Sequence, residues 1–226
     1  MKIDKKLLDK KPLIIAEVGQ NHQGDLKIAK EYVKRFALCG ADIIKFQSRN
    51  NKMLFSKEAY EKSYDSENSF GKTYGEHREK LELSYKDLVS LKNECIKNNV
   101  GFMVTPFEEY SLNKIYKINK DIVKIASFDL GNLPFINLIS KKYKKVFIST
   151  GGGNLKEIKA SVKVLLKNKV KVILMHCVSR YPTRFDEINL GFISKLKKKF
   201  PSCIIGLSDH FNGIISGPIA YTQGAR

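Results

Sequence analysis

Lys45 and Lys124 stand inside apolar runs, "IIKF" and "VKIAS", where an ammonium group is costly unless it faces an anion or a carboxylate. Two such lysines can hold a phosphate and a carboxylate of one substrate, or each can turn outward from its strand. Glu17, in "IAEVGQNHQGD", closes another apolar run and is followed by a glycine and a polar turn. A carboxylate there can serve as acid or base or orient a metal-bound water, and it can also simply pair with a lysine. Thr105 in "VTPF" and Ser149 with Thr150 in "ISTGGGN" bring hydroxyls, and the glycine run brings backbone N–H groups, all suited to an anion. His176 in "MHC" reads as a core histidine, and Tyr181 in "RYPT" as a sugar-stacking ring or loop packing. His210, in "GLSDH", is either a metal ligand or a polar residue at a strand end. His22 and His77 fall in loops and carry no signal singly.

Most of these residues sit at the ends of short apolar runs of strand type: 13–18, 42–47, 101–107, 122–127, 145–150, 171–177 and 203–208. Between them lie helical spacings, at 26–38 behind Asp25 as N-cap, and at 86–97, 109–118, 133–142, 154–167 and 189–199. In 26–38 the predicted buried stripe is Ile28, Tyr32, Val33 and Phe36. Strict alternation of strand and helix indicates an α/β fold, either a TIM (β/α)8 barrel or a doubly wound sheet. No G-x-G-x-x-G follows the first strand, and polar groups end every strand: Glu17, Lys45 with Gln47, Thr105, Lys124 with Ser127, Ser149, His176, and Ser208 with His210. A rim of that kind favours the barrel, since an open sheet uses a single crevice. The whole of 1–226 reads as one barrel domain cut short before strand eight, with residues 212–224 as a last helix. Residues 48–84 form a polar, tyrosine-rich insertion expected to be a lid, a substrate loop or an interface.

The composition, 42% hydrophobic and 28% charged, is that of a globular chain. No apolar run approaches a membrane span, and Glu17 ends the short apolar stretch near the N-terminus, so the expected location is cytoplasmic. The formal charge of +18 suggests nucleic acid, but only six of the 41 basic residues are Arg, and the lysines fall on helix faces and junctions. A solvated lysine surface that attracts small anions is the preferred reading, with neither nucleic acid nor membrane as partner. The four cysteines lack C-x-x-C spacing and read as buried free thiols.

Taken in order, "IAEVGQNHQGD", "ADIIKFQ", "VTPFE", "VKIAS", "ISTGG", "HCVSRYPT" and "IGLSDH" resemble the N-terminal barrel of the sialic acid (N-acetylneuraminate) synthase family, with its legionaminate and pseudaminate relatives. The resemblance covers residues 13 to 226 apart from the insertion. It implies condensation of phosphoenolpyruvate with the open-chain aldehyde of an N-acetylated amino sugar, with phosphate leaving by C–O cleavage and a divalent ion, Mn²⁺ or Mg²⁺, polarising the aldehyde. It implies an active-site glutamate at Glu17 and phosphoenolpyruvate held by Lys45, Thr105, Lys124, Ser127, Ser149 and Ser208. Gln47 and Tyr181 would face the sugar or the intermediate, and His210 would be the first of two metal histidines.

Two positions depart from the family pattern. Asp129 replaces a glutamate that binds sugar hydroxyls, and Ser179 replaces an asparagine associated with phosphoenolpyruvate. The second metal histidine and a C-terminal antifreeze-like domain, which completes a homodimer in this family, would lie beyond Arg226. Two alternatives stay open: a related phosphoenolpyruvate-dependent barrel synthase with another aldose acceptor, and a catalytically incompetent basic barrel fragment.

Overall fold

The computed structural model describes residues 11–226. Seven parallel strands alternate with helices: β1 (Ile15–Gly19), β2 (Ile43–Ser48), β3 (Gly101–Pro106), β4 (Val123–Ile125), β5 (Lys145–Ser149), β6 (Lys171–Cys177) and β7 (Ile204–Ser208). The helices are α1 (Leu26–Leu38), α2 (Asn51–Leu54), α3 (Lys57–Glu61), α4 (Tyr74–Lys80), α5 (Tyr85–Lys97), α6 (Glu109–Ile118), α7 (Leu133–Lys142), α8 (Leu155–Lys167), α9 (Gly191–Lys199) and α10 (Ser216–Thr222). This is the element pattern of a (β/α)8-like barrel, as the sequence predicts. The seven apolar runs become strands because each is bounded by turn residues and is too short for a buried helix. No helix among the described residues is long and apolar enough to cross a membrane.

The chain forms two compact units, Ile14–Lys120 and, with residues 11–13, Asp121–Arg226. In the first, the strand order is β1-β2-β3. Its core joins Val18, Ile44, Phe46, Phe102 and Val104 from the strands to Ala29, Val33, Leu88, Leu91 and Ile115 from α1, α5 and α6. Asp25 caps α1 as expected, accepting from Lys27 N at 2.6 Å and Ile28 N at 3.1 Å. The buried stripe of that helix is rotated by one residue from the prediction. Ala29 and Val33 are buried, Tyr32 and Phe36 pack beside them, and Ile28 is exposed. A small residue at 29 lets the helix approach the sheet closely, which turns Ile28 outward.

The 48–84 segment is not a structureless loop. It carries α2, α3 and α4, and a bridge between Ser63 and Thr73. Thr73 and Glu76 form a capping box that starts α4. Tyr64, Tyr74 and Phe70 gather round the buried His77 ring, with Tyr64 closest at 4.6 Å between centroids. Its Nδ1 accepts from Phe70 N at 3.2 Å. At Gly24 (φ +77°) a Cβ would stand 2.0 Å from the Lys80 carbonyl, so only glycine admits the end of α4 against the β1–α1 turn.

In the second unit the order is β4-β5-β6-β7, and strand residues such as Val146, Ile148, Val172 and Leu174 are buried with Ile136, Ile158 and Leu165 of the covering helices. All four cysteines are free, but Cys39 is exposed, contrary to expectation, because it is the residue that ends α1.

Candidate active site

In the first unit, parallel pairing puts Glu17 of β1 opposite Lys45 of β2, and Gln47 opposite Thr105 of β3. Residues at matched register project from the same face of a sheet. Glu17 and Lys45 therefore meet as an ion pair, with the lysine side chain 13% exposed and the carboxylate 41%. Lys45 Nζ also donates to Thr105 Oγ1 at 3.3 Å, and Gln47 Nε2 donates to Glu17 Oε1 at 3.1 Å. Lys45 thus lies on the strand face opposite the core residues Ile44 and Phe46, held by a carboxylate and a hydroxyl. His22, which carried no signal in the sequence, is buried and braces the turn beside this group, its Nδ1 accepting from Gly24 N at 3.0 Å.

Two residues with no assigned role in the sequence join the same group. The Arg49 guanidinium donates to Gln47 Oε1 and lies 3.8 Å from the Phe107 ring centroid. Glu82 accepts from the Arg49 backbone N–H at 2.9 Å and from Gln20 Nε2 at 2.9 Å. Burial and then repulsion from Arg78 lower Arg49 to about 10, with Glu82 opposing both. Arg49 therefore stays charged at neutral pH. Burial likewise pushes the Glu82 carboxyl up, against its bonds and attraction to Arg49.

In the second unit, Lys124 is 6% exposed and donates to Ser149 Oγ and to the Ile125 carbonyl at 3.2 Å. Ser127 Oγ accepts from Gly151 N at 3.0 Å. A Cβ at Gly151 would lie 2.2 Å from Ser179 Oγ, 2.9 Å from Ser127 Oγ and 3.1 Å from Cys177 Sγ, so these three side chains converge on a glycine no other residue can replace without displacing them. Ser208 stands opposite Cys177 in the β6–β7 pairing. Burial alone would raise the Cys177 thiol, but hydrogen bonds from His210, Ser127 and Ser208 outweigh it and hold the thiol at about 7. Ser179 and Cys177 also line a cavity of about 510 Å³ with Thr150, Arg180 and Glu187.

Thr150 does not offer its hydroxyl to an anion beside Ser149. Strand alternation turns it the other way, and Oγ1 donates to the Met175 carbonyl at 3.0 Å. Three amides at the start of α8, those of Asn154, Lys156 and Glu157, are also already used. Asn154 accepts from Lys156 N and Glu157 N, and Glu157 accepts from Asn154 N, a capping box with its own negative charge. His176 is the satisfied core histidine expected, 4% exposed with Nε2 at 2.8 Å from the Ile188 carbonyl.

His210 Nδ1 lies 2.8 Å from the Val178 carbonyl, which can only accept, so Nδ1 carries a proton and, in the neutral imidazole, Nε2 keeps its lone pair. That is the tautomer a metal ligand needs. The Tyr181 ring is 4.0 Å away, centroid to centroid. Burial lowers the His210 pKa, but Cys177, the Val178 bond and Asp209 together raise it. Among the described residues no three His, Cys, Asp or Glu side chains come together as a metal cluster. His210 fits a single ligand position, and the described residues do not complete a site.

Asp129 follows β4 with 1% exposure. Oδ1 accepts from Asn132 Nδ2 at 3.2 Å, while Oδ2 is buried with no hydrogen-bond partner among the described residues. Burial pushes its carboxyl up to about 6, against the Asn132 bond. The folded value lies above the unfolded 3.8, so the folded state holds the extra proton between the two. Stability therefore falls as pH rises through that window, and the cost is complete above about 6. Asp129→Asn is expected to stabilise the protein at pH 7.5 by on the order of 1–3 kcal/mol, and by almost nothing at pH 3.5. Denaturant unfolding at the two pH values checks this.

The model of the NeuB family matches residues 32–226. The chain is 34% identical over 213 residues to N-acetylneuraminate-9-phosphate synthase of Homo sapiens, across 94% of this chain and 59% of that protein. It is 38% identical over 223 residues to N,N'-diacetyllegionaminic acid synthase of Campylobacter jejuni, across 96% of this chain and 66% of that protein. The crystal structure of an N-acetylneuraminic acid (sialic acid) synthetase from Leptospira borgpetersenii serovar Hardjo-bovis in complex with citrate superposes with a TM-score of 0.83 at 33% identity, over 96% of this chain and 71% of that one. The chain thus spans about three fifths of the N-acetylneuraminate-9-phosphate synthases it matches.

Proposed function

The chain belongs to the NeuB family, and from that premise we propose that the protein condenses phosphoenolpyruvate with the aldehyde of an N-acetylated amino sugar, giving a nonulosonic acid and inorganic phosphate. The observation that carries the reading is that each unit holds a strand lysine enclosed by polar partners, Lys45 with a side chain 13% exposed and Lys124 6% exposed. Lys45 is held by Glu17 and Thr105, and Lys124 by Ser149. An ammonium in a low-dielectric setting gains most from a fully charged oxygen, and phosphoenolpyruvate brings a phosphate and a carboxylate. By the family resemblance, Lys45 and Thr105 of the first unit, and Lys124, Ser127, Ser149 and Ser208 of the second with Ser179 beside them, are the proposed phosphoenolpyruvate residues. Gln47, Asp129 and Tyr181 face the acceptor.

Carbon 3 of the enolpyruvate attacks the aldehyde carbon, forming the new C–C bond while the aldehyde oxygen takes a proton. Water adds at carbon 2, oriented by the Glu17 carboxylate, which accepts its proton. Collapse of the tetrahedral centre breaks the carbon 2–oxygen bond, makes the ketone and releases phosphate. The two protons lost by water balance those gained by the aldehyde oxygen and the leaving phosphate. The family is associated with divalent-metal-dependent chemistry of this kind, and His210 is the residue of this chain suited to one coordination position.

Asp129 favours a second acceptor class within the same chemistry. One methylene shorter than glutamate and buried, it would reach sugar hydroxyls differently. Relatives named for a 9-phosphorylated product and for diacetyllegionaminic acid mark two possibilities. Purified protein is to be incubated with phosphoenolpyruvate, a divalent ion and a panel comprising an N-acetylhexosamine, its phosphate ester and a diacetamido sugar. Phosphate release that needs all three components and stops with chelator is expected. Release without an aldose, or salt-sensitive nucleic-acid binding with no release on any sugar, overturns the proposal.

A further inference from the structure

The 48–84 segment leaves β2 and rejoins the chain at α5 through a neck, and one pair of side chains closes it. Arg49 stands at the outgoing end and Glu82 at the returning end. Arg49 N donates to Glu82 Oε2 at 2.9 Å, and Arg49 Nη1 lies 3.5 Å from Oε1. Gln20, from the turn after β1, donates to the same Oε1 at 2.9 Å. The two side chains are only 9% and 12% exposed. Arg49 is thus gripped by a carboxylate, an aromatic face and a carboxamide at once.

The consequence falls on Gln47. A guanidinium offers donors only, so its bond to Gln47 must be taken by the oxygen of the carboxamide. That turns the NH2 end towards Glu17, where Nε2 donates to Oε1 at 3.1 Å. Were Arg49 absent, the amide could flip and set its oxygen against the Glu17 carboxylate, a repulsive contact. The series of contacts continues from Glu17 to Lys45 and Thr105.

We propose that Arg49 and Glu82 are positioning residues for the acceptor side of the site, coupling closure of the 48–84 neck to the orientation of Gln47 and, through it, of Glu17. The proposal deepens the function given above and rests on it for the roles of Gln47 and Glu17. Neither Arg49 nor Glu82 touches the reacting atoms. Lysine cannot replace Arg49, because one point charge cannot reach Glu82 and Gln47 together while stacking on Phe107.

The test has a spectroscopic and a kinetic arm. In protein labelled with 15N-glutamine, the side-chain NH2 pair of Gln47 is assigned by its loss in Gln47→Leu. A carboxamide held at both ends gives a dispersed, slowly exchanging pair in the unmodified protein. Arg49→Lys and the isosteric Glu82→Gln, each shown to be folded by its melting transition, are expected to collapse that pair to the solvent-averaged position. Both are expected to raise the acceptor KM about tenfold or more, leaving the phosphoenolpyruvate KM within about twofold. An unchanged Gln47 signal in either folded variant overturns the coupling, and so does a shifted signal with an unchanged acceptor KM. If the unmodified protein turns over no sugar, the proposed function fails, and the NMR arm still decides whether Arg49 and Glu82 orient Gln47.

Discussion

Lys124→Met is expected to lower kcat/KM for phosphoenolpyruvate by about 30- to 4000-fold, mostly through KM. Lys124 is almost wholly enclosed, and its ammonium reaches Ser149 Oγ and the Ile125 carbonyl. Under the proposed function it also meets an oxygen of the phosphate or carboxylate of the substrate. Removing one partner of such a buried charge contact costs about 2–5 kcal/mol, and each 1.4 kcal/mol is a factor of ten. Methionine keeps the length and most of the volume of lysine, so the cavity term that accompanies truncation to alanine does not enter. The acceptor KM should change by only a few-fold, because the loss is local to phosphoenolpyruvate. A folded Met variant with an unaltered KM for phosphoenolpyruvate would mean that Lys124 only ties β4 to β5.

How much of this could be read from the sequence depends on the range of the interaction concerned. Lys45 and Lys124 stood out because a charge within an apolar strand run is anomalous on its own, with no knowledge of its neighbours. The strands were legible for the same local reason, although β4 shrinks from the expected 122–127 to Val123–Ile125 as Ser127 starts a 3₁₀ turn. Some local signals are masked by their surroundings. "TYGE" is a capping-box spacing at the start of α4, but the glycines and polar residues around it gave the appearance of a loop. Gly75 is there because a Cβ would stand 2.4 Å from the Tyr60 ring, a tertiary reason that no window of sequence contains.

Arg49 and Glu82 show the opposite limit. They are 33 residues apart, and neither is unusual where it stands. The available hint was compositional: only six of the 41 basic residues are Arg, so each arginine, with its fork of donors, stands out against a lysine background. Thr150 illustrates a third case. Its hydroxyl type was right for an anion, but the side it faces is set by the strand register, and Ser149 alone points towards Lys124. The residues that do chemistry were therefore visible by type, and the residues that aim them only by geometry.

Glu17→Gln should show the kinetic signature opposite to that of Lys124→Met. Glutamine keeps the size of the side chain and can still hydrogen-bond, but it cannot take a proton from water. A positioned acid or base contributes about 10²–10⁴-fold, so kcat for phosphate release is expected to fall within that range. The KM for phosphoenolpyruvate should stay level or fall. Glu17 is the carboxylate paired with Lys45, and once it is neutral the ammonium has one competitor fewer for the anionic substrate. Stability should fall only slightly, because the carboxylate is 41% exposed and its pair solvent-screened, while Lys45, 13% exposed, keeps Thr105 and the glutamine oxygen as acceptors. A merely structural Glu17 would give the reverse, with altered melting and near-normal turnover. Phosphate release from Glu17→Gln within a few-fold of the unmodified protein would remove Glu17 from the chemistry. Gln47 would then be aimed at a carboxylate with no part in the reaction, and Lys45 would remain as an anion holder only.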